Sequence, residues 1–276
     1  METMNENATY PAIIAAVSME INPLREKMKL IKIIQTPKPL RLELREGPKG
    51  PVYLGLTGMG PKAARKATEL LFKNVNVNRL FSIGFVGALQ KNIEIGDLVI
   101  ANNCKKLKSF KPLEIANGNG HSHFLNAKQA NKIAHFFKSW GRKIQIGLLL
   151  SSDQLVTKIQ TKKELGQLTI GSHKALGVEM ETNAILEVLK ETQKNPIHFY
   201  SIRAVSDTLD ENIDFDFSKI AIWNGQVKPF SFIKYMIKHP LKSFSLKNLL
   251  NNSKKAADNL ADCIYQILED KEGFFV

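Results

Sequence analysis

Ala12-Ile13-Ile14-Ala15-Ala16-Val17 sets six apolar side chains in a row with no polar residue between them. Successive side chains of an extended chain point to opposite faces, so such a run suits a strand that is covered on both sides. Sheets of that kind are mostly parallel, because crossover connections lay helices over both faces. The pattern recurs along the chain. It predicts a helix over about 22–30, with Pro23 in its first turn. Two strands follow at 41–44 and 52–56, separated by a turn rich in Gly and Pro. After the tight turn Gly58-Met59-Gly60-Pro61, residues 62–73 have helical periodicity. Further buried strands are predicted at 80–83, 97–101, 144–150 and 197–204, helices at 126–140 and 182–191, and a polar surface excursion at 102–120. Strands alternating with helices predict an α/β domain with a largely parallel sheet inside and helices outside. No internal repeat or low-complexity linker divides it. One domain over 12–216 is expected, after an extended or disordered stretch at 1–11 and before a C-terminal appendage at 217–276.

The 276 residues suffice for a sizeable core. No run of about 18 apolar residues occurs, and the polar start lacks the pattern of a secretory signal, so a cytoplasmic protein is expected. Cys104 and Cys263 are the two cysteines, which excludes a disulfide framework. The net charge of +13 fits nucleic acid, anionic lipid or a solvated surface, and its placement decides among them.

Three carboxylates fall at the ends of predicted buried strands or at a helix start, where α/β enzymes build their sites. Glu20 follows the first strand, Glu181 lies in Gly177-Val178-Glu179-Met180-Glu181-Thr182, and Asp207 ends Ile202-Arg203-Ala204-Val205-Ser206-Asp207. Alone, each reads as an exposed loop acid or a charge at a helix start. Together they offer a general acid and a base, because an acid in an apolar cleft can hold a proton near neutrality.

Ile13-Ile14-Ala15-Ala16 with Glu20, Gly84-Phe85-Val86-Gly87-Ala88-Leu89 with Ile95-Gly96-Asp97-Leu98-Val99, Val178-Glu179-Met180-Glu181, and Arg203-Ala204-Val205-Ser206-Asp207 occur in that order. The ordered set resembles the methylthioadenosine/S-adenosylhomocysteine nucleosidases of the nucleoside phosphorylase/nucleosidase superfamily. The resemblance implies a single-domain three-layer α/β/α fold with a central mixed, mostly parallel sheet. It implies cleavage of the N-glycosidic bond of an adenine nucleoside with no cofactor, and no metal is expected because His121 and His123 have no Cys or acidic partner at ligand spacing and the other histidines are scattered. Asp207 matches the acid that protonates N7 of the purine. Glu181 matches the carboxylate on the ribose hydroxyls, and Met180 the residue beneath the sugar. Glu20 matches the carboxylate that orients or deprotonates water. Glu179, Ser206, Gly84 and Phe85 line the same segments. Ser151-Ser152-Asp153-Gln154-Leu155 resembles the segment that reads the adenine edge, so Gln154 and Leu155 are expected at the base; a plain polar loop is the alternative. The resembled nucleosidases are dimers, which implies a homodimer.

Phosphorylases share this fold. In those that the chain resembles, an Arg begins the strand-end segment and a Ser or Thr follows its first Gly; Ser82 and Phe85 stand at those positions here. Both departures remove phosphate ligands, and Glu20 would repel a phosphate, so water is the expected nucleophile. Phe85 departs from the nucleosidases as well, which carry a small polar residue there. Gly58-Met59-Gly60 reads either as an anion cradle or as a plain strand-to-helix turn.

No acid lies between Asp216 and Asp258, while Lys228, Lys234, Lys238, Lys242, Lys247, Lys254 and Lys255 do. This helical, basic extension resembles that of the hopanoid-associated nucleoside phosphorylases, including the turn Lys238-His239-Pro240-Leu241. It implies, as an alternative substrate, the lipid-linked nucleoside adenosylhopane. The segment then reads either as a helix resting on an anionic membrane or as one packed on the domain with its lysines in water. Nucleic acid is not expected, since no recognised binding motif occurs. His121 and His123 fall in a glycine-rich stretch that reads as a surface loop. A third class, a non-catalytic nucleoside-binding protein on the same scaffold, is discriminated by adenine binding without adenine release.

Overall fold

A computed structural model describes residues 8–107, 121–123, 125–138, 143–170, 173–192, 197–211, 222–223, 226–227, 240–270 and 275. In chain order the elements are β1 (Thr9–Ala15), α1 (Ser18–Glu26), β2 (Lys29–Ile34), β3 (Arg41–Gly47), β4 (Gly50–Leu56), α2 (Pro61–Asn74), β5 (Asn76–Ala88), β6 (Leu98–Lys106) and β7 (His121–His123). There follow α3 (Ala127–Lys138), β8 (Ile144–Ser151), α4 (Ile159–Leu165), β9 (Thr169–Ile170), β10 (His173–Glu179), α5 (Thr182–Glu191), β11 (His198–Asp207), the short pair β12 (Ile222–Trp223) and β13 (Gln226–Val227), and α6 (Pro240–Glu269).

The main sheet runs β2-β3-β4-β1-β5-β11-β6-β8-β10-β9, with β7 on β6. Two parallel blocks form its centre, β4-β1-β5-β11 and β6-β8-β10. They meet antiparallel at β11–β6, and the edges are antiparallel too. The far end of β5 also pairs with β10, through Gly177↔Ala88 and Val178↔Gly87. That pairing closes β5, β11, β6, β8 and β10 into a ring. The ring brings the ends of β5, β10 and β11 together, although they fall at Ala88, Glu179 and Asp207 in sequence.

The alternation of β1 explains its unbroken apolar run. Ile13 and Ala15 face a core shared with Leu24 of α1, Met28 just after it, Ile133 and Phe137 of α3, and Leu260 and Ile264 of α6. Ala12 and Ile14 face Ala64, Ala67 and Leu71 of α2 and Ile185 of α5. Helices therefore cover both faces, as the expected three-layer α/β/α architecture requires. The described part of α6 buries Ala256, Leu260, Ala261, Ile264 and Ile267 against that core, while Lys254 and Lys255 stay exposed. Lys228, Lys234 and Lys238 lie outside the described residues. No helix among the described residues is long and apolar enough to cross a membrane.

The structure corrects several expectations. The first helix begins at Ser18, not near residue 22, so Pro23 sits inside it rather than in its first turn. Glu20 sets that start, because its carboxylate accepts the free N–H groups of Ala16 and Val17 at 2.9 and 3.0 Å. Residues 29 and 30 are not helical but open the edge strand β2, which pairs only with β3 and is largely exposed, so no burial pattern marks it. The polar stretch after residue 101 is not all surface. β6 continues to Lys106, with Asn102, Asn103 and Lys105 buried. His121–His123 form β7 on β6 rather than a loop. The pattern also missed α4, β9 and β10.

Candidate active site

Three neighbouring strand ends and the start of α1 supply the site. Glu20 Oε2 takes the two N–H groups at its own helix start, and Oε1 reaches across to accept the N–H of Phe85 on β5 at 2.9 Å. Gly84 permits that approach, since a Cβ there would lie 2.7 Å from Glu20 Oε1 and 3.4 Å from Arg203 Nη1. Phe85 gives the site its N–H; its half-buried ring packs into the core beneath α1 and α6. Burial raises the Glu20 carboxyl above its ordinary range, against the pull of the Phe85 and Val17 N–H groups, the Arg203 charge and the Ala16 N–H.

Arg203, from β11, is the hub, and only 1 % of it is exposed. Its Nη2 donates to Glu179 Oε2, Ser82 Oγ and Thr182 Oγ1, each at 2.9 Å. Nε and Nη1 have no partner among the described residues. A buried guanidinium with uncommitted donors is costly unless something completes it. Glu179 is taken up internally, because its carboxylate also accepts the N–H of Glu181 at 3.0 Å and both the N–H and hydroxyl of Thr182 at 2.9 Å, at the start of α5.

Glu181 follows and is half-buried. Its Oε1 accepts the N–H of Gly60 at 2.8 Å, so the Gly58-Met59-Gly60 turn holds a carboxyl group through its backbone, and the group is this side chain. Met180 lies alongside, its Cε 3.7 Å from where a Cβ on Gly60 would be. Burial raises the Glu181 carboxyl to about 8, helped by the charges of Glu179 and Glu20 and opposed by Arg203 and the Gly60 N–H. Near neutrality Glu181 therefore carries a proton.

Asp207 stands at the other end. β11 shifts register against β5 between Val205 and Asp207, so that Asp207 sits opposite Gly87 with Ser206 as the extra residue. Such bulges re-aim side chains beside sites. Gly87 lacks the Cβ that would come within 2.9 Å of Asp207 Oδ2. Ser206 Oγ donates to Asp207 Oδ1 at 2.9 Å, and Oδ2 pairs with the ammonium of Lys162 from α4. Gly84 and Gly87 are three residues apart on one strand, roughly 10 Å. The structure thus gathers Glu20, Glu179, Glu181 and Gly84 around Arg203 and sets Ser206 and Asp207 roughly 10 Å further along β5. The loop after β8 hangs beside them, since Ser152 N donates to Glu179 O at 2.7 Å. Ser152 Oγ bonds the backbone of Gln154, and Gln154 and Leu155 themselves are exposed.

The pattern of the Phosphorylase superfamily matches residues 11–234. The chain belongs to that superfamily. Among its members, a 5'-methylthioadenosine/S-adenosylhomocysteine nucleosidase of Buchnera aphidicola subsp. Acyrthosiphon pisum is 29% identical over 189 residues, 65% of this chain and 77% of the relative. An aminodeoxyfutalosine nucleosidase of Campylobacter jejuni is 23% identical over 222 residues, 78% of this chain and 93% of the relative. Among solved structures, the Neisseria meningitidis 5'-methylthioadenosine/S-adenosylhomocysteine nucleosidase in complex with methylthio-immucillin-A aligns with a TM-score of 0.63 at 22% identity, covering 93% of this chain and 100% of the other. At that identity the likeness is one of fold, and it agrees with the mixed, mostly parallel sheet between helices expected of the superfamily.

Two site residues escaped the sequence reading. Arg203 was visible as a basic residue in the middle of a buried strand, and a buried charge has to find a partner. Lys162 falls three residues from both Ile159 and Leu165, on the inward stripe of α4. In a run of Thr-Lys-Lys-Glu it looks like any solvated lysine.

Proposed function

We propose that this protein hydrolyses the N-glycosidic bond of an adenine nucleoside, releasing the base and a ribosyl product. The observation that carries the reading is the uncommitted, buried Arg203 guanidinium beside Glu20 and Gly84. A water lodged there would be held by Arg203 Nη1 and could yield its proton to Glu20 as its oxygen bonds to C1′. Glu181, protonated near neutrality, both donates and accepts, which suits a ribose diol. Met180 lies under the sugar, and the loop carrying Gln154 and Leu155 meets the edge of the base. Asp207, held by Ser206, delivers a proton to N7 so that the purine leaves as a neutral base. The sugar passes through a cation-like state that the carboxylates stabilise. We assign Glu179 to holding Arg203 rather than to touching substrate. Glu20, Glu179 and Glu181 around one guanidinium form a poor seat for a phosphate dianion, which favours water.

The test incubates the protein with 5′-methylthioadenosine, S-adenosylhomocysteine, inosine and adenosylhopane, with and without phosphate, and follows free base by chromatography. Adenine release that is indifferent to phosphate is expected. Release only with phosphate would make the enzyme a phosphorylase, and adenine binding without release would make it a binding protein. The reading includes a cytoplasmic homodimer of a domain over 12–216 carrying the extension 217–276. The lysine-rich, acid-free run from Lys228 to Lys255 favours a second version, in which the 5′ group is a lipid and the protein rests on anionic membrane. Salt-sensitive co-sedimentation with anionic vesicles tests that version.

A further inference from the structure

Lys162 is fully buried against Asp207. Its ammonium donates to Asp207 Oδ2, to Thr208 O at 2.8 Å and to Glu211 O at 3.1 Å. An ammonium has three hydrogens, so each has an acceptor. The other carboxylate oxygen accepts the Ser206 hydroxyl. Both oxygens of Asp207 are therefore acceptors, and a carboxylate that only accepts cannot protonate a purine. Among the described residues, other charged groups stand back from the pair. The Glu211 carboxylate holds Thr208 N at 2.8 Å and Asn252 Nδ2 of α6 at 3.4 Å, Lys163 pairs with Asp210 at 3.3 Å in solvent, and β5 offers only Gly87. Among the described residues, and apart from the Ser206 hydroxyl, a far weaker acid, the hydrogens on Asp207 come from Lys162.

We propose that Lys162 is the proton store of this site, a positioning residue whose ammonium supplies, through Asp207, the hydrogen that ends on the departing purine. The inference rests on the nucleosidase reading above. As the C1′–N9 bond breaks, its electron pair goes to the purine and N7 takes a proton from Asp207. Asp207 takes one from Lys162, ending as it began, and the ammonium becomes a neutral amine. The attacking water gives its proton to Glu20 while its oxygen bonds to C1′. One proton has left Lys162 and one has reached Glu20, and exchange with solvent restores both.

The test follows kcat for adenine release from 5′-methylthioadenosine by the wild type, Lys162→Met and Lys162→Arg from about pH 6 to about pH 9, with melting temperatures alongside. Methionine fills similar space without a hydrogen to give, so Asp207 must draw each proton from solvent. The deficit of Lys162→Met relative to wild type should widen with pH, approaching roughly tenfold per unit. Arginine keeps the positive charge but does not release its proton, so Lys162→Arg should remain down by about 100-fold or more across the range. A Lys162→Met profile parallel to wild type would mean that the lysine only holds the turn, and a Lys162→Arg enzyme as fast as wild type would mean that charge alone suffices; either overturns the proposal. Should the methionine variant not fold, the arginine variant decides. A wild type that releases no adenine from any nucleoside would instead strike the hydrolase reading itself.

Discussion

The two ends of the site are built on different charge balances. At one end Glu20, Glu179 and Glu181 crowd a single guanidinium, and Arg203 leaves two of its nitrogens uncommitted. At the other, Asp207 and Lys162 match one to one and the ammonium has no hydrogen to spare. Carboxylates in excess cannot all ionise in a dry place, so the first end holds a proton on Glu181. The lesson is that an end with spare donors is shaped to receive a reactant, whereas a matched pair can act only by passing on what it already holds.

The largest effect should come from the matched end. Asp207→Asn is expected to lower turnover by about two to four orders of magnitude in steady-state assays. A loss below about tenfold would remove the acid from the chemistry and with it the contrast between the ends. At the crowded end, Arg203→Met strands the buried Glu179 carboxylate. Urea unfolding should record a loss of about 3–5 kcal/mol. A variant as stable as wild type would show that the carboxylates do not depend on their hub.

Glu181→Gln sharpens the comparison through pH. A carboxyl raised to about 8 when folded, from 4.5, binds more protons folded than unfolded between those values. Stability contributed by the protonated form is therefore whole below about pH 4.5 and is lost as pH rises through about 8. Glutamine is always neutral, so the variant should match wild type near pH 5 and exceed it above pH 8 by about 2 kcal/mol, less than the full shift because Glu181 keeps some contact with water. Equal pH courses in urea titrations would deny the crowding. The smallest effects separate the ends sterically. Gly84→Ala presses on Glu20 and Gly87→Ala on Asp207, each costing about 1–2 kcal/mol by thermal melting. If the ends are independent, the double variant should show the sum of the two losses.

What the sequence disclosed follows the same division. The strand run at Ala12–Ala15 and the alternation of helices made the layered fold legible, since a strand covered on both faces has few other homes. Glu20, Glu181 and Asp207 stood out because acids at the mouths of apolar strands need a reason. The partners did not. Lys162 becomes a site residue only because α4 turns it inward, and the pairing of β5 with β10 joins residues too far apart for periodicity to register. The edge strand β2 was hidden for the opposite reason, since an exposed strand leaves no burial pattern to read.

The placement of α6 bears on how the molecule assembles. Leu24 of α1 and Met28 just after it share a core with Leu260 and Ile264, and Lys27 pairs with Asp262 at 3.1 Å. During synthesis α1 thus waits for α6, with its oily side uncovered until more than two hundred further residues have emerged. Contacts of such long sequence separation fold slowly and leave a nascent chain open to aggregation. Trigger-like holdases are accordingly expected to bind this chain during synthesis at the segment around α1, and to let go only once α6 has cleared the exit tunnel.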